Sequence, residues 1–308
     1  MFYDLVIIGG GPAGATAGIY ATRKKLKSLL LAEELGGQSA VSPEIQNWIG
    51  EPSISGADLA KKIEAHLRTY EGENLVIKDR TPVEVVTQTT NGFSVRTQAG
   101  ENYEAKTVII AAGGRRRQLE VKGADVFEHK GLTYCASCDG PLFCNQAVVV
   151  IGGGNAGFGT AGQLLAYCQS VTLLETAPTF RAEQITIDKL LQNPKFQAIK
   201  NVELLEIKGD KFVSGLIYKD KNTGEQIELP VTGIFVEIGF VPNTEMVKDL
   251  VKLDNRGAIV VNHLTQQSSV RGIWAAGDCT DNIYHQNNIA VGDAVEAVED
   301  IYQSLHAR

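Results

Sequence analysis

Two patterns of apolar and polar positions alternate along this chain. Predominantly apolar runs at residues 3–8, 28–31, 107–111, 147–151 and 171–174 end at glycine or charge and predict strands of a buried parallel sheet. Residues 75–106, 204–218 and 226–238 instead alternate apolar with polar, which predicts small antiparallel sheets. Asp220-Lys221-Asn222-Thr223-Gly224 supplies a turn between the last two. Helical composition follows at residues 15–24, in the amphipathic stretch 57–70, at 161–167 and in a closing segment 289–305. Strand and helix alternate at both ends of the chain, so the predicted class is α/β.

The first strand runs into Gly9-Gly10-Gly11-Pro12-Ala13-Gly14 and a helix. In such a turn the first glycine permits the bend, the second lets backbone approach a pyrophosphate, and the third lets helix pack on strand. A second strand then ends at Glu33-Glu34, the distance at which a carboxylate takes the hydroxyls of a ribose; Glu33 follows the strand more directly and Glu34 is the alternative. The same grammar recurs in Gly152-Gly153-Gly154-Asn155-Ala156-Gly157, with Glu175 at nearly the same interval. A repeated composite of this kind predicts two dinucleotide-binding units.

The length of 308 residues fits about two domains, and 44% apolar with 21% charged residues is a globular composition. A net charge of -7 gives no general attraction to nucleic acid or anionic membranes. No run approaches the ~18 apolar residues of a membrane helix, and the N-terminal residues lack a signal-peptide pattern, so the expected location is cytoplasmic.

That expectation sharpens the meaning of Cys135-Ala136-Ser137-Cys138-Asp139. Two thiols at this spacing close a small disulfide ring, which in a reducing compartment is catalytic rather than structural. Asp139 can exchange a proton with the sulfurs if burial raises its pKa. Zinc would need a second ligand pair; Cys144, Cys168 and Cys279 stand singly and read as structural, and no metal site is predicted.

Three other segments keep two readings each, and a fourth is polar. Gly36-Gly37-Gln38 with Gln46-Asn47-Trp48 is a cofactor-facing segment or a surface loop. Arg115-Arg116-Arg117 after Gly113-Gly114 is a phosphate contact or a solvated hinge. Gly277-Asp278 holds a sugar hydroxyl or caps a helix, and His285-Gln286-Asn287-Asn288 precedes the closing helix. His66 is a lone helical histidine, solvent-facing or packed.

Taken together, the two glycine motifs, Gly36-Gly37-Gln38, Asn47, the Cys135–Gly140 stretch and Gly277-Asp278 resemble the low-molecular-weight thioredoxin reductases and the reductase portion of the alkyl hydroperoxide reductase flavoproteins. The resemblance covers essentially the whole chain. It implies two Rossmann-like dinucleotide-binding domains of three-layer ββα type, the second inserted into the first. Residues 1–114 and 244–308 would form the FAD domain, and residues 115–243 a nicotinamide-nucleotide domain carrying the C-x-x-C, in a homodimer. By position, Gly9, Gly11, Pro12, Ala13, Gly14, Glu33 or Glu34, Gly37, Gln38, Asn47, Gly277, Asp278, His285, Gln286 and Asn287 would hold FAD. Gly152, Gly154, Asn155, Ala156, Gly157 and Glu175 would hold the second nucleotide. Cys138 would face the flavin, Cys135 would attack the disulfide of thioredoxin or a thioredoxin-like protein, and Asp139 would donate the proton. The family's inserted domain rotates, which puts the bend near Gly113-Gly114 and Pro242-Asn243.

The chain departs from that family in three places. Glu175-Thr176-Ala177 stands where NADPH-using relatives carry a His-Arg-Arg cluster, with only Arg181 matching a more distal arginine. A carboxylate repels a 2′-phosphate, so the implied donor is NADH rather than NADPH. Ala156 and Gly159 replace a serine and a glutamate expected around nicotinamide, and Phe158 adds bulk. His285 replaces an arginine, and Asp293 stands in a usually small or polar neighbourhood. These differences leave an alternative: an NAD(P)H-independent relative, ferredoxin-fed or holding a second FAD in the degenerate site and running from dithiol to flavin. A non-enzymatic redox sensor or scaffold is the third reading.

Overall fold

The computed structural model describes residues 2–42 and 44–306. Met1 and Arg308, the outer ends of the expected domains, lie outside the described residues. The chain divides into two compact units, one formed up to Arg115 and again from Phe240, the other from Arg116 to Gly239.

In the first unit the strand Phe2–Gly10 pairs in parallel with Ser28–Leu35 on one side and Asn102–Ile110 on the other. Ile273–Ala275 extends the sheet beyond Asn102–Ile110, in register Ile273↔Val108. One sheet face packs under the helices Pro12–Arg23 and Asn287–His306, with Leu5, Ile7, Trp274 and Ala294 buried between the layers. The opposite face carries Val6, Ile8, Val108 and Ile110 against Val86, Phe93 and Val95 of a smaller antiparallel sheet. The architecture is therefore three-layered, sheet, sheet and helix.

The second unit repeats the plan in one continuous run of chain, long enough for a core of its own. Its parallel sheet is ordered Phe196–Lys200, Ser170–Glu175, Ala147–Ile151, Gly233–Val236, Leu132–Thr133. Helices Asn155–Leu164 and Gln184–Leu191 cover one face through Phe158, Leu164 and Ile187. Three antiparallel strands, Val202–Gly209, Val213–Asp220 and Gln226–Leu229, cover the other through Ile207, Leu216 and Tyr218. The chain leaves and re-enters through Gly114–Arg116 and Phe240–Pro242, which pair as a two-stranded ribbon.

Two alternating segments are organised differently from the sequence reading. Leu75–Lys78 joins the parallel sheet beside Ser28–Leu31 instead of an antiparallel one. Asn102–Ile110 is a single strand: its first half pairs antiparallel with Gly92–Thr97, and its second half is the parallel neighbour of Phe2–Gly10. Likewise residues 226–238 split into the half-exposed hairpin strand Gln226–Leu229 and the fully buried parallel strand Gly233–Val236. Both segments mix strand types: Leu75–Lys78 keeps period two because an edge strand of a parallel sheet also has one wet face, whereas residues 107–110 and 233–236 are buried on both faces and follow alternating stretches without a break.

Candidate functional site

The redox pair sits in the second unit. Cys135 and Cys138 are joined as a disulfide with Cα atoms 5.3 Å apart, and Cys135 caps the single turn Ala136–Asp139. The Cys138 amide donates to Cys135 Sγ at 3.2 Å, a contact that favours negative charge on that sulfur once the bond is opened. Behind the pair, the Thr133 hydroxyl donates to one Asp139 oxygen and accepts the Cys135 amide at 3.3 Å. The other Asp139 oxygen is buried with no hydrogen-bond partner among the described residues. Burial pushes the Asp139 carboxyl above the usual carboxylate range, against the opposing pull of Thr133 and His129. Asp139 thereby keeps its proton to higher pH than an ordinary aspartate does. Thr133 was missed by sequence reasoning; its only signal is its place two residues before the first cysteine.

In the first unit, Gly11 is the N-cap of Pro12–Arg23, and no side chain caps that helix, so its leading N–H groups face the turn. A Cβ on Gly14 would lie 1.9 Å from Gly9 O, and one on Gly9, which has φ +122°, 2.1 Å from Ala111 O. Gly11 has only Gly37 Cα nearby, at 3.6 Å from its would-be Cβ. The cradle is thus tight where helix meets strand and open where a phosphate would approach, the pattern that fits the pyrophosphate of a dinucleotide.

Polar residues from distant parts of this unit converge there. Gln38 Nε2 donates to Asp278 at 2.8 Å, Asn47 Nδ2 donates to Gln286 Oε1 at 3.1 Å, and Ser39 donates to Asn287 at 3.0 Å. Asn288 holds the Asn47 carbonyl at 2.8 Å, and the His285 ring lies 4.4 Å from that of Phe240. Buried Asp293 accepts the Gly277 amide at 3.1 Å and so fixes the Gly277-Asp278 step. Glu33 and Glu34 are both exposed, at the end of a strand that runs on to Leu35.

The second glycine loop has the same construction: a Cβ on Gly157 would lie 1.8 Å from Gly152 O, while Gly154 is open and Asn155–Leu164 lacks a side-chain cap. Glu175 is 4% exposed, with one oxygen accepting the Gly153 amide at 2.6 Å and the other the Ala177 amide at 2.8 Å. Asn155 Oδ1 accepts the Glu183 amide at 2.9 Å, and Ala156 is exposed. Two of the three arginines have carboxylate partners, Arg115 with Glu245 at 3.3 Å and Arg116 with Glu237 at 3.2 Å. Glu237 was also missed, although a lone carboxylate closing an apolar strand is the signal read at Glu33 and Glu175.

Cys168 and Cys279 are buried, and burial pushes their thiols up to about 11 and about 12; Cys144 is exposed. Among the described residues no cluster of His, Cys, Asp and Glu is placed to hold a metal, and no helix is long and apolar enough to cross a membrane.

Two three-layer units, each with a glycine loop between strand and helix, and a C-x-x-C disulfide backed by a buried acid fit the disulfide oxidoreductase class of flavoproteins. The comparison with known proteins gives the family. The profile of the pyridine nucleotide-disulphide oxidoreductases matches residues 3–294, and the chain belongs to that family. It is 40% identical over 304 residues to the F component of the alkyl hydroperoxide reductase of Pseudomonas aeruginosa and 38% identical over 303 residues to an NADH dehydrogenase of Bacillus subtilis. Each alignment covers 98% of this chain and 58% of the relative, so the chain spans somewhat over half the length of these relatives. Among solved structures, thioredoxin reductase from Streptococcus pyogenes is 34% identical with TM-score 0.92, covering 100% of this chain and 99% of the other. The family implies FAD and a nicotinamide cofactor.

Proposed function

We propose that the protein is an FAD-dependent reductase that takes electrons from NADH and delivers them to the disulfide of thioredoxin or a thioredoxin-like protein. The observation that carries this reading is the Cys135–Cys138 disulfide with Asp139 and Thr133 behind it. Supporting it are the open first glycine cradle and the convergence of Gln38 with Asp278 and of Asn47 with Gln286 in the same unit. We assign the unit containing Gly9 to FAD and the unit containing Gly152 to the nicotinamide nucleotide, with the ribbon Gly114–Arg116/Phe240–Pro242 as the hinge between them.

Bound FAD would supply hydride acceptance and a pair of electrons. The residues of the chain then do the rest. Cys138 Sγ takes up the electron pair as the S–S bond breaks, and Cys135 leaves as thiolate, steadied by the Cys138 amide. That thiolate attacks the partner disulfide, forming a mixed disulfide and expelling one partner thiolate, to which Asp139 gives its proton. Cys138 then attacks Cys135 Sγ, which restores the internal disulfide and frees the second partner thiol.

NADH as donor is supported by Glu175, which is buried at the end of the second strand where an NADPH site needs cations. Its carboxylate also ties Gly153 and Ala177, so the loop depends on it. The test is an anaerobic titration of the purified flavoprotein with NADH, NADPH and dithiothreitol, following flavin absorbance and FAD per chain. Bleaching by NADH at one FAD per chain is expected. Bleaching by dithiol alone, or two FAD per chain, would replace this reading with the diflavin one. We also propose a homodimer in the cytoplasm; sedimentation should give twice the 33.2 kDa chain mass.

A further inference from the structure

The second unit holds a charged cluster that the glycine loop and Glu175 do not explain. Glu237 directly follows the strand Gly233–Val236, at the carboxyl end of the parallel sheet. Its amide donates to Ile151 O at 2.8 Å, and its carbonyl lies 2.3 Å from where a Cβ on Gly152 would stand. From Ala147–Ile151 the chain turns towards Ser170–Glu175 on one side, while Gly233–Val236 lies on the other. The gap between those neighbours is the switch point of the sheet, where open α/β sheets take their ligands.

The side chain of Glu237 is 10% exposed. One oxygen accepts the Thr160 hydroxyl at 2.8 Å, and the other is 3.2 Å from the Arg116 guanidinium. Burial raises its pKa, opposed by Arg116 and by the Thr160 hydrogen bond. The helix Asn155–Leu164 contributes little else that is polar. Ala156 and Gly159 are exposed without polar side chains, Asn155 is turned to the Glu183 amide, and Phe158 is buried edge-on to Phe180. Stability alone is a weak reason for such a pair, because a buried ion pair is commonly matched or bettered by packed apolar side chains.

We propose that the Glu237–Arg116 pair is the charge-reading element of the second nucleotide site, setting its preference between oxidised and reduced nicotinamide. This rests on the reading that the unit binds a nicotinamide nucleotide. The oxidised ring is a cation and the reduced ring is neutral, so a carboxylate at the switch point favours the oxidised form and the guanidinium opposes it. A tenfold preference for the oxidised form lowers the potential of the bound couple by about 30 mV, which makes the bound reduced nucleotide the stronger donor.

The experiment is calorimetric titration of the oxidised full-length flavoprotein at fixed ionic strength with NAD+ and with 1,4,5,6-tetrahydro-NAD, whose ring is neutral and gives no hydride. Glu237→Gln keeps the acceptor for Thr160 and leaves Arg116 unopposed. Its Kd for NAD+ should rise about tenfold, with less than about a twofold change for the tetrahydro analogue. Arg116→Gln should shift the ratio of the two constants the other way, and Glu237→Asp should restore most of the preference. Flavin absorbance and circular dichroism monitor folding of each variant. Equal changes for both ligands, or shifts of the same sign in both variants, overturn the proposal. Failure of the unsubstituted protein to bind either ligand overturns it together with the NADH reading, whereas binding of both with an unchanged ratio in Glu237→Gln overturns it alone.

Discussion

Asp139 is a carboxyl whose folded pKa lies above its unfolded value, so the sign of its pH effects is the reverse of the usual surface aspartate. Its contribution to stability is complete below the unfolded pKa and is lost as pH rises through the folded one. Its proton is available over the same window, above the ordinary carboxylate range. Turnover with a thioredoxin disulfide should therefore fall as pH rises through that pKa. Asp139→Asn should lower turnover about a hundredfold, abolish that fall and leave FAD content unchanged, as steady-state rates over pH will show. Cys138→Ser should keep its flavin, still bleach with NADH, and show no disulfide reduction; retained turnover would overturn its assigned role. Thiol chemistry gives a further check at this scale. With Cys168 and Cys279 pushed up to about 11 and about 12, iodoacetamide at neutral pH should label Cys144 alone in the oxidised protein and add Cys135 and Cys138 after reduction.

At the level of elements, the two glycine loops differ from the helix glycines around them in what a methyl group would meet. Gly157→Ala places a Cβ 1.8 Å from Gly152 O, a clash with backbone that only a shift of helix from strand relieves. It should weaken nucleotide binding at least tenfold and leave FAD per chain unchanged, by calorimetry and absorbance. Gly159→Ala meets nothing within 4 Å on the exposed side of the same helix and should stabilise the unit by about 0.5–1 kcal/mol in denaturant unfolding. These loops were legible in the sequence because each packs its helix-to-strand contact, Gly14 on Gly9 and Gly157 on Gly152, into six consecutive residues. The alternating segments were less so: residues 102–110 pass from a half-wet antiparallel strand to a buried parallel one without any break in composition. Thr133 and Glu237 escaped for a different reason. Glu237 closes an apolar strand as Glu33 and Glu175 do, but no glycine loop accompanies that strand in sequence, and its partners Thr160 and Arg116 are far from it along the chain.

Over the whole molecule, each unit has its own pair of cores, so thermal unfolding need not be a single transition. A ligand stabilises the unit that binds it by mass action, about 2.7 kcal/mol at a hundred times its Kd. Differential scanning calorimetry with added NAD+ should therefore move one transition upward and leave the FAD-containing one in place; equal movement of both would argue against a nucleotide site confined to residues 116–239. The division itself follows from connectivity that composition conceals. The run 116–239 is continuous, whereas the strand Ile273–Ala275 completes its pairing with Val108, Ile109 and Ile110 only after the entire second unit has intervened. During synthesis this order matters. The unit 116–239 can close as soon as it has left the ribosome, while the first sheet must wait, with one edge unpaired, for a segment made roughly 160 residues later. Nascent chains halted before residue 273 should therefore hold a protease-resistant 116–239 and a protease-sensitive N-terminal part whose parallel sheet is still incomplete.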